Sequence, residues 1–263
     1  PERLLGHQIP VPGGIDVTFR EPLGVVGVIV PWNFPMPIMG WGVAPALAAG
    51  NTVVVKPAEL TPMTALRIGE LALEAGFPEN VLQILTGRGS VVGERFVTHP
   101  DVAKVVFTGS TEVGIHVAEG CARQVKPVTL ELGGKSANII FADSDLETAA
   151  ASAPGGVFDN SGQDCCARSR ILIERSVMDR FLELLEPAVL NVRVDDPNLT
   201  TTDMGPLISA GHRDRVASFV DDKTNVLIRG SVPEGPGYWY PATVVLAESR
   251  EDRLLREEIF GPD

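Results

Sequence analysis

Between Gly24 and Glu131 the chain repeats one unit, a short apolar run, a turn and a helical stretch. The run Gly24-Val25-Val26-Gly27-Val28-Ile29-Val30 suits a strand buried on both faces. Pro31-Trp32-Asn33-Phe34-Pro35 interrupts it, and the pattern then predicts a helix from Ile38 to Ala49 stopped by Gly50. Thr52 to Lys56 reads as a second buried strand, followed by a helix from about Thr61 to Ala75 that ends at Gly76. The segments 81–85, 91–97, 102–108 and 112–123 repeat the alternation twice more, and a strand from Val128 to Glu131 closes the block. Such alternation predicts a parallel sheet with helices on both faces, whose ligands sit at the carboxyl ends of the strands.

The flanks read differently. Gln8 to Phe19 is predicted to be a β-hairpin turning at Pro12-Gly13-Gly14. After a crossing at Leu132-Gly133-Gly134-Lys135, a second α/β block is expected: strand 137–141, helix Leu146 to Asp159, strand 171–173 and helix 177–190. The stretch 195–206 is rich in turn residues. A helix from Gly211 to Asp221 and strands near Val226 and at 243–246 complete the reading.

Charge and sulfur limit the partners. A net charge of −12 argues against a nucleic-acid backbone or an anionic membrane surface. Three cysteines, two of them adjacent, make a disulfide framework improbable and point to a reducing compartment. With no run of 18 apolar residues and no signal peptide at its start, the chain is expected to be cytoplasmic. It opens on Pro1 and closes on Ile259-Phe260-Gly261-Pro262-Asp263, and a piece of a longer protein is expected.

Several short motifs carry chemistry. In Phe158-Asp159-Asn160-Ser161-Gly162-Gln163-Asp164-Cys165-Cys166, a cysteine just after a Gly-Gln turn is a candidate nucleophile, although a cysteine pair also serves as two small core residues. Phe107-Thr108-Gly109-Ser110-Thr111 lies at a strand-to-helix turn that aims N–H groups and a hydroxyl at an anion or simply caps the helix. It lacks the second glycine of the usual dinucleotide fingerprint. Gly133-Gly134-Lys135-Ser136 resembles the tail of a P-loop, but Thr129 stands where the first glycine is required, so a Walker A site is rejected. Lys56 and Glu59 follow the second strand, where they could grip ribose hydroxyls or form a surface ion pair. Asn33, fixed between prolines, could donate to an oxyanion or cap a turn. Glu131 in an apolar strand becomes a general base if burial raises its pKa; a strand-end glutamate facing solvent is the plain alternative. His7, His99, His116 and His212 have no metal-ligand spacing, and no metal is expected.

Together these pieces resemble the NAD(P)-dependent aldehyde dehydrogenase superfamily. The matching motifs are Pro31-Trp32-Asn33-Phe34-Pro35, Lys56-Pro57-Ala58-Glu59, Phe107-Thr108-Gly109-Ser110, Leu130-Glu131-Leu132-Gly133-Gly134-Lys135, Gly162-Gln163-Asp164-Cys165 and Glu257-Glu258-Ile259-Phe260-Gly261-Pro262, in the family's order. The resemblance implies an α/β fold: a Rossmann-like dinucleotide-binding domain at 23–132 and an α/β catalytic domain at 133–263, both truncated, with 1–22 as a dimerisation arm. It implies that Cys165 is the nucleophile, Glu131 the general base, and Asn33, with the Cys165 N–H, the oxyanion donor. For the cofactor, NAD, it implies Lys56 and Glu59 at the adenosine ribose, Ser110 at the pyrophosphate, Gly89 and Val113 bordering the adenine and pyrophosphate region, and Gly109 as a further cofactor contact. Glu258 would hold the nicotinamide ribose, with Phe260 against the nicotinamide ring, and Trp32 and Leu132 would also contact the cofactor.

The implied reaction takes an aldehyde through a thiohemiacetal and a thioester to an acid, in a homodimer or homotetramer. Phe34 and Trp41 would line the aldehyde tunnel, and Asp159 and Asp164 would favour a polar or cationic aldehyde. Glu59 is expected to favour NAD over NADP. A CoA-acylating enzyme and a non-catalytic relative are the alternatives; Glu131 speaks against the first, and retention of nucleophile, base and amide against the second.

Overall fold

The computed structural model describes residues 4–263. The chain divides into two compact units, the first ending at Leu132 and the second covering Gly133–Asp263.

In the first unit, β1 (Gln8–Val11) and β2 (Gly14–Val17) form the antiparallel hairpin, with Gln8 opposite Val17 and Val11 opposite Gly14. Its turn is narrower than expected, because Gly14 already pairs. β3 (Val25–Ile29), β4 (Thr52–Lys56), β5 (Leu82–Ile84), β6 (Val102–Gly109) and β7 (Val128–Leu132) form one parallel sheet in the order β5-β4-β3-β6-β7. Its valines explain its stability: Val26, Val28, Val53, Val55 and Val105 are each at most 2% exposed, and branched side chains buried on both faces suit a central parallel sheet. The helices are α1 (Pro35–Ala48), α2 (Met63–Glu74), α3 (Glu94–Thr98) and α4 (Thr111–Ala122). α1 starts three residues earlier than the predicted Ile38, because Pro35 at its first turn has the backbone angle a helix needs. Ahead of α3 the backbone makes a π-helical turn, Gly89–Gly93, which begins before the segment 91–97 and takes up its first three residues.

The second unit does not continue the parallel alternation. β8 (Ala137–Ile140) and β9 (Arg170–Ile173) form a two-stranded parallel piece. β10 (Asn225–Arg229) and β11 (Thr243–Leu246) form an antiparallel one with a register shift between Val226 and Ile228. Between them lie α5 (Leu146–Ser152), α6 (Met178–Leu190) and α7 (Ala210–Ala217), and α8 (Arg253–Arg256) follows. Phe181, Leu185 and Val189 of α6 form a core with Ile140, Ala150 and Phe158.

Two helices of this unit are shorter than the sequence predicts, and one is additional. The helix predicted for Leu146 to Asp159 stops at Ser152, and two 3-10 turns, Pro154–Gly156 and Asp159–Gly162, replace its second half. Pro154 donates no hydrogen bond and Gly155-Gly156 favour no helix, so the α-helical ladder ends there. α7 ends at Ala217, four residues before Asp221. α8 was not anticipated; its four residues are too few to show a period, and the Asp252 carboxylate caps it by accepting from the Leu254 N–H at 2.9 Å.

Candidate active site

The sheet of the first unit has one topological switch point. The chain leaves β3 toward β4 and β5, then returns to the other side of β3 to form β6 and β7. Ligand crevices on such sheets open between the two strands that flank the reversal, at their carboxyl ends. Here those ends carry Trp32 and Asn33 after β3, and Gly109 and Ser110 at the end of β6. Trp32, Asn33 and Phe34 are half-buried, and the Phe34 carbonyl accepts from the Ile38 N–H at 3.1 Å, which anchors the turn into α1. Ser110 is the N-cap of α4, its hydroxyl accepting from the Val113 N–H at 3.4 Å. The helix N-terminus is thus ordered and carries the partial positive charge that attracts phosphate.

Lys56 ends β4 and is 4% exposed. Its ammonium donates to the Pro57 carbonyl at 2.8 Å; burial pulls its pKa down, and the Glu59 carboxylate offsets part of that. Glu59 is exposed and accepts from the Gly89 N–H at 3.1 Å. Three residues assigned to one end of a cofactor therefore meet through the loops after β4 and β5. Glu131, on the edge strand β7, pairs with Thr108 of β6 and is exposed, so the burial that would raise its pKa is not found; among the described residues its strand has a neighbour on one side only. Leu132, the last residue of β7, is half-buried, and Val113 is exposed on α4. Trp41, also exposed, lies on α1 in a cleft with Leu23, Lys104 and Thr129.

In the second unit, the loop 159–166 presents Cys165 through local strain and a ring of hydrogen bonds. Asn160, Ser161 and Gly162 have φ of 49°, 59° and 70°, three consecutive left-handed residues. Such backbone costs of order 1–3 kcal/mol per non-glycine residue and persists only where the surroundings enforce it. The enforcing contacts are on buried polar groups. The Gln163 amide donates to the Asn160 carbonyl at 3.0 Å and accepts from the Ile208 N–H at 2.9 Å, and the Ser161 hydroxyl donates to the Gly205 carbonyl at 2.7 Å. Gly162 also packs its α-carbon against the backbone of Gly261 and Pro262, leaving no room for a side chain.

Asp159 and Asp164 each accept from a backbone N–H, of Asn160 and Cys166 respectively, both at 2.9 Å. Cys165 is half-buried and Cys166 exposed, their sulfurs 3.8 Å apart. Burial first, and then Cys166 and the Asp164 charge, push the Cys165 thiol up to about 12.

The segment 258–262 is held as firmly, by Arg215 and His212. Arg215 of α7 donates to the carbonyls of Ile259 and Glu258 at 2.6 and 2.9 Å. His212 donates through Nε2 to the Phe260 carbonyl at 2.7 Å, and its ring meets the Phe260 ring edge-on. Phe260 has φ of 62°, another left-handed residue under external constraint. Glu258 is half-buried with its pKa raised by desolvation, and it accepts from the Gly134 N–H at 3.2 Å. A side chain at Gly133 would overlap the Glu258 carboxylate, so the Gly133-Gly134 pair is the seat of that carboxylate. His212 had been seen only as a residue without metal spacing, and Arg215 gave no signal, because both act across some 45 residues of chain.

The second unit therefore brings Cys165, Asp159 and Asp164 onto one loop and joins that loop to the segment bearing Glu258 and Phe260. The first unit gathers the remaining assigned residues along the carboxyl edge of its sheet, except Trp41.

Comparison with known proteins gives one answer. The aldehyde dehydrogenase family model matches residues 1–262. The phenylacetaldehyde dehydrogenase of Pseudomonas fluorescens is 43% identical over 267 residues, covering 98% of this chain and 53% of that protein. The cytosolic 10-formyltetrahydrofolate dehydrogenase of Xenopus tropicalis is 40% identical over 271 residues, 99% of this chain and 30% of that protein. The structure of PnpE from a Pseudomonas species, solved in complex with nicotinamide adenine dinucleotide, superposes with a TM-score of 0.94 at 42% identity, over 99% of this chain and 55% of PnpE. The chain thus spans about half or less of the length of these relatives.

Proposed function

The chain belongs to the aldehyde dehydrogenase family, and from that premise we propose that its protein oxidises an aldehyde to a carboxylic acid with NAD, with Cys165 as nucleophile. The observation that carries the reading is the cysteine loop. Three left-handed residues and two buried polar side chains are held in place to present one half-buried thiol, and strain of that kind collects at functional sites. The cofactor assignment is supported by the switch-point edge, where an ordered helix N-terminus follows Gly109 and Ser110, and by relatives solved with NAD.

Each step has a residue to perform it. The Cys165 sulfur adds to the aldehyde carbonyl, and the oxygen that gains charge is stabilised by the Asn33 amide. One such donor is worth roughly 3–4 kcal/mol of barrier, about 10²–10³ in rate. NAD, when bound, supplies the hydride acceptor and a positive charge that favours the thiolate over the thiol. Loss of hydride leaves a thioester on Cys165, and Glu131 takes a proton from the water that hydrolyses it. Lys56 and Glu59 hold the adenosine ribose, and the Glu59 carboxylate disfavours a 2′-phosphate. Glu258 and Phe260 serve the nicotinamide side, and Trp32 and Leu132 are further cofactor contacts.

For the substrate, Phe34 supplies apolar surface at the carboxyl edge; for Trp41, which lies in a separate cleft on α1, the tunnel role rests on the family resemblance alone. Asp159 and Asp164 have a structural task on backbone N–H groups in addition to the preference for a polar or cationic aldehyde proposed for them. The hairpin β1–β2 exposes Ile9, Val11, Ile15 and Val17; a two-stranded ribbon is marginal alone, which supports its reading as an arm that pairs subunits in a cytoplasmic homo-oligomer. None of the described helices is long and apolar enough to cross a membrane.

The test is NADH formation from a panel of aldehydes by the whole protein. Cys165→Ala is expected to abolish turnover, and Cys166→Ala to keep most of it. The opposite result moves the nucleophile by one position.

A further inference from the structure

Catalysis as proposed has no use for Cys166, yet the structure holds its sulfur 3.8 Å from that of Cys165. One ligand atom each from Asp164, Cys165 and Cys166 lies within 4.8 Å of the others, the only such cluster of metal-ligating groups among the described residues. A tetrahedral zinc ion binds thiolate at about 2.3 Å, which places two ligand sulfurs about 3.8 Å apart. The two sulfurs already stand at the separation that one such ion imposes. The carboxylate is also positioned: the Cys166 N–H, donating to Asp164 Oδ1 at 2.9 Å, keeps it beside the sulfurs. Two soft thiolates and a single carboxylate suit zinc or cadmium and disfavour magnesium or calcium, which want oxygen. Cys166 is exposed, giving an ion a way in from solvent.

We propose that Cys165, Cys166 and Asp164 form a binding site for one thiophilic divalent cation of the zinc class, and that its occupation reversibly silences the enzyme. Binding forms two metal–sulfur bonds and one metal–oxygen bond, releases one proton from each thiol and changes no oxidation state. The sulfur that would attack the aldehyde is then tied up as a ligand. Three protein ligands leave a fourth position for water, so a chelator can reach the ion and remove it. Cys166 thereby acquires a role that hydride transfer does not give it. The silencing, though not the binding, rests on Cys165 being the nucleophile.

Cadmium alone is the probe for binding, because its thiolate complexes absorb in the ultraviolet. Titration of the whole reduced protein is expected to raise a sulfur-to-metal absorption that saturates at one ion per chain. NADH formation should fall in parallel and return with EDTA. Loss of outer-shell partners alone costs about 10–100-fold in metal affinity, so Cys166→Ser, losing a thiolate ligand, is expected to bind cadmium at least about 100-fold more weakly. That variant should still oxidise aldehyde, now insensitive to zinc. The site is overturned if no absorption grows at one equivalent, or if Cys166→Ser binds and responds like the wild type. Absorption that saturates at one ion, is lost in Cys166→Ser and leaves NADH formation intact keeps the site and removes Cys165 as nucleophile.

Discussion

The carboxyl edge of the five-stranded sheet and the loop around Cys165 both gather reactive residues, but by different physics. At the sheet edge, position follows from the strands. Asn33, Lys56, Ser110 and Glu131 lie within a few residues of strand ends whose register the parallel ladder fixes. In the cysteine loop, position follows from tertiary clamps: Gln163 to Ile208, Ser161 to Gly205, and Gly162 against Gly261. An edge residue can therefore be exchanged with its backbone intact, whereas exchanging a clamp residue moves the backbone that presents the thiol. Edge variants should change rates at nearly constant stability; loop variants should lose both.

The largest expected effect tests the first half of that contrast. Asn33→Ala is expected to lower kcat/KM by about 10²–10³ with a thermal midpoint close to wild type. A large drop in midpoint would show that Asn33 is a turn cap first. The loop's counterpart is Gln163→Leu, which orphans the Ile208 N–H and leaves the Asn160 carbonyl with only the Gln163 backbone N–H as donor. Each buried group left unpaired costs about 1–3 kcal/mol, so denaturant melts should show that loss together with most of the activity. Unchanged stability would mean that the loop is not clamped as described.

A smaller effect is expected at Glu59. Glu59→Ser should shift the ratio of catalytic efficiencies toward NADP by about tenfold, some 1.4 kcal/mol, with kcat for the aldehyde almost unmoved. A wild type that uses both cofactors equally well would remove Glu59 from the argument.

The smallest concerns the clamp on Phe260. Burial holds the His212 imidazole below its ordinary value near 6.5. The unfolded chain then takes up the proton first, so the stabilising contribution of neutral His212 is present above about pH 6.5 and lost as the pH falls below it. His212→Gln, which can still donate to the carbonyl, should flatten the stability profile in that window. An unaltered slope would place the acid sensitivity elsewhere.

The same contrast explains what could be read from the chain. The sheet was legible because its signal is local. Thr52–Lys56 was bounded to the residue, and Gly109-Ser110 announced a strand-to-helix turn that the structure keeps. The loop was legible in its motif but not in its architecture. Pro154 and Gly155-Gly156 signal a break that the expectation of a helix to Asp159 overran, and although Asn160 and Gly162 are residue types that tolerate the left-handed region, Ser161 between them gives no sign of it. Arg215 and His212 were missed as clamps because their partners are backbone carbonyls some 45 residues away, which no motif records. For Glu131 the apolar residues around it leave burial and a solvent-facing strand end equally open; its place on an edge strand, which depends on the strand order, decides for exposure.

The central claim is that the strained loop presents Cys165, and not its neighbour, as the covalent nucleophile. The most direct measurement is mass spectrometry on the Glu131→Gln variant of the whole protein, quenched after one turnover with aldehyde and NAD. With hydrolysis slowed, the peptide spanning 164–168 is expected to carry one acyl group on the Cys165 sulfur, with about one equivalent of NADH formed. An acyl group on Cys166, or a burst of NADH with neither sulfur modified, would contradict the account.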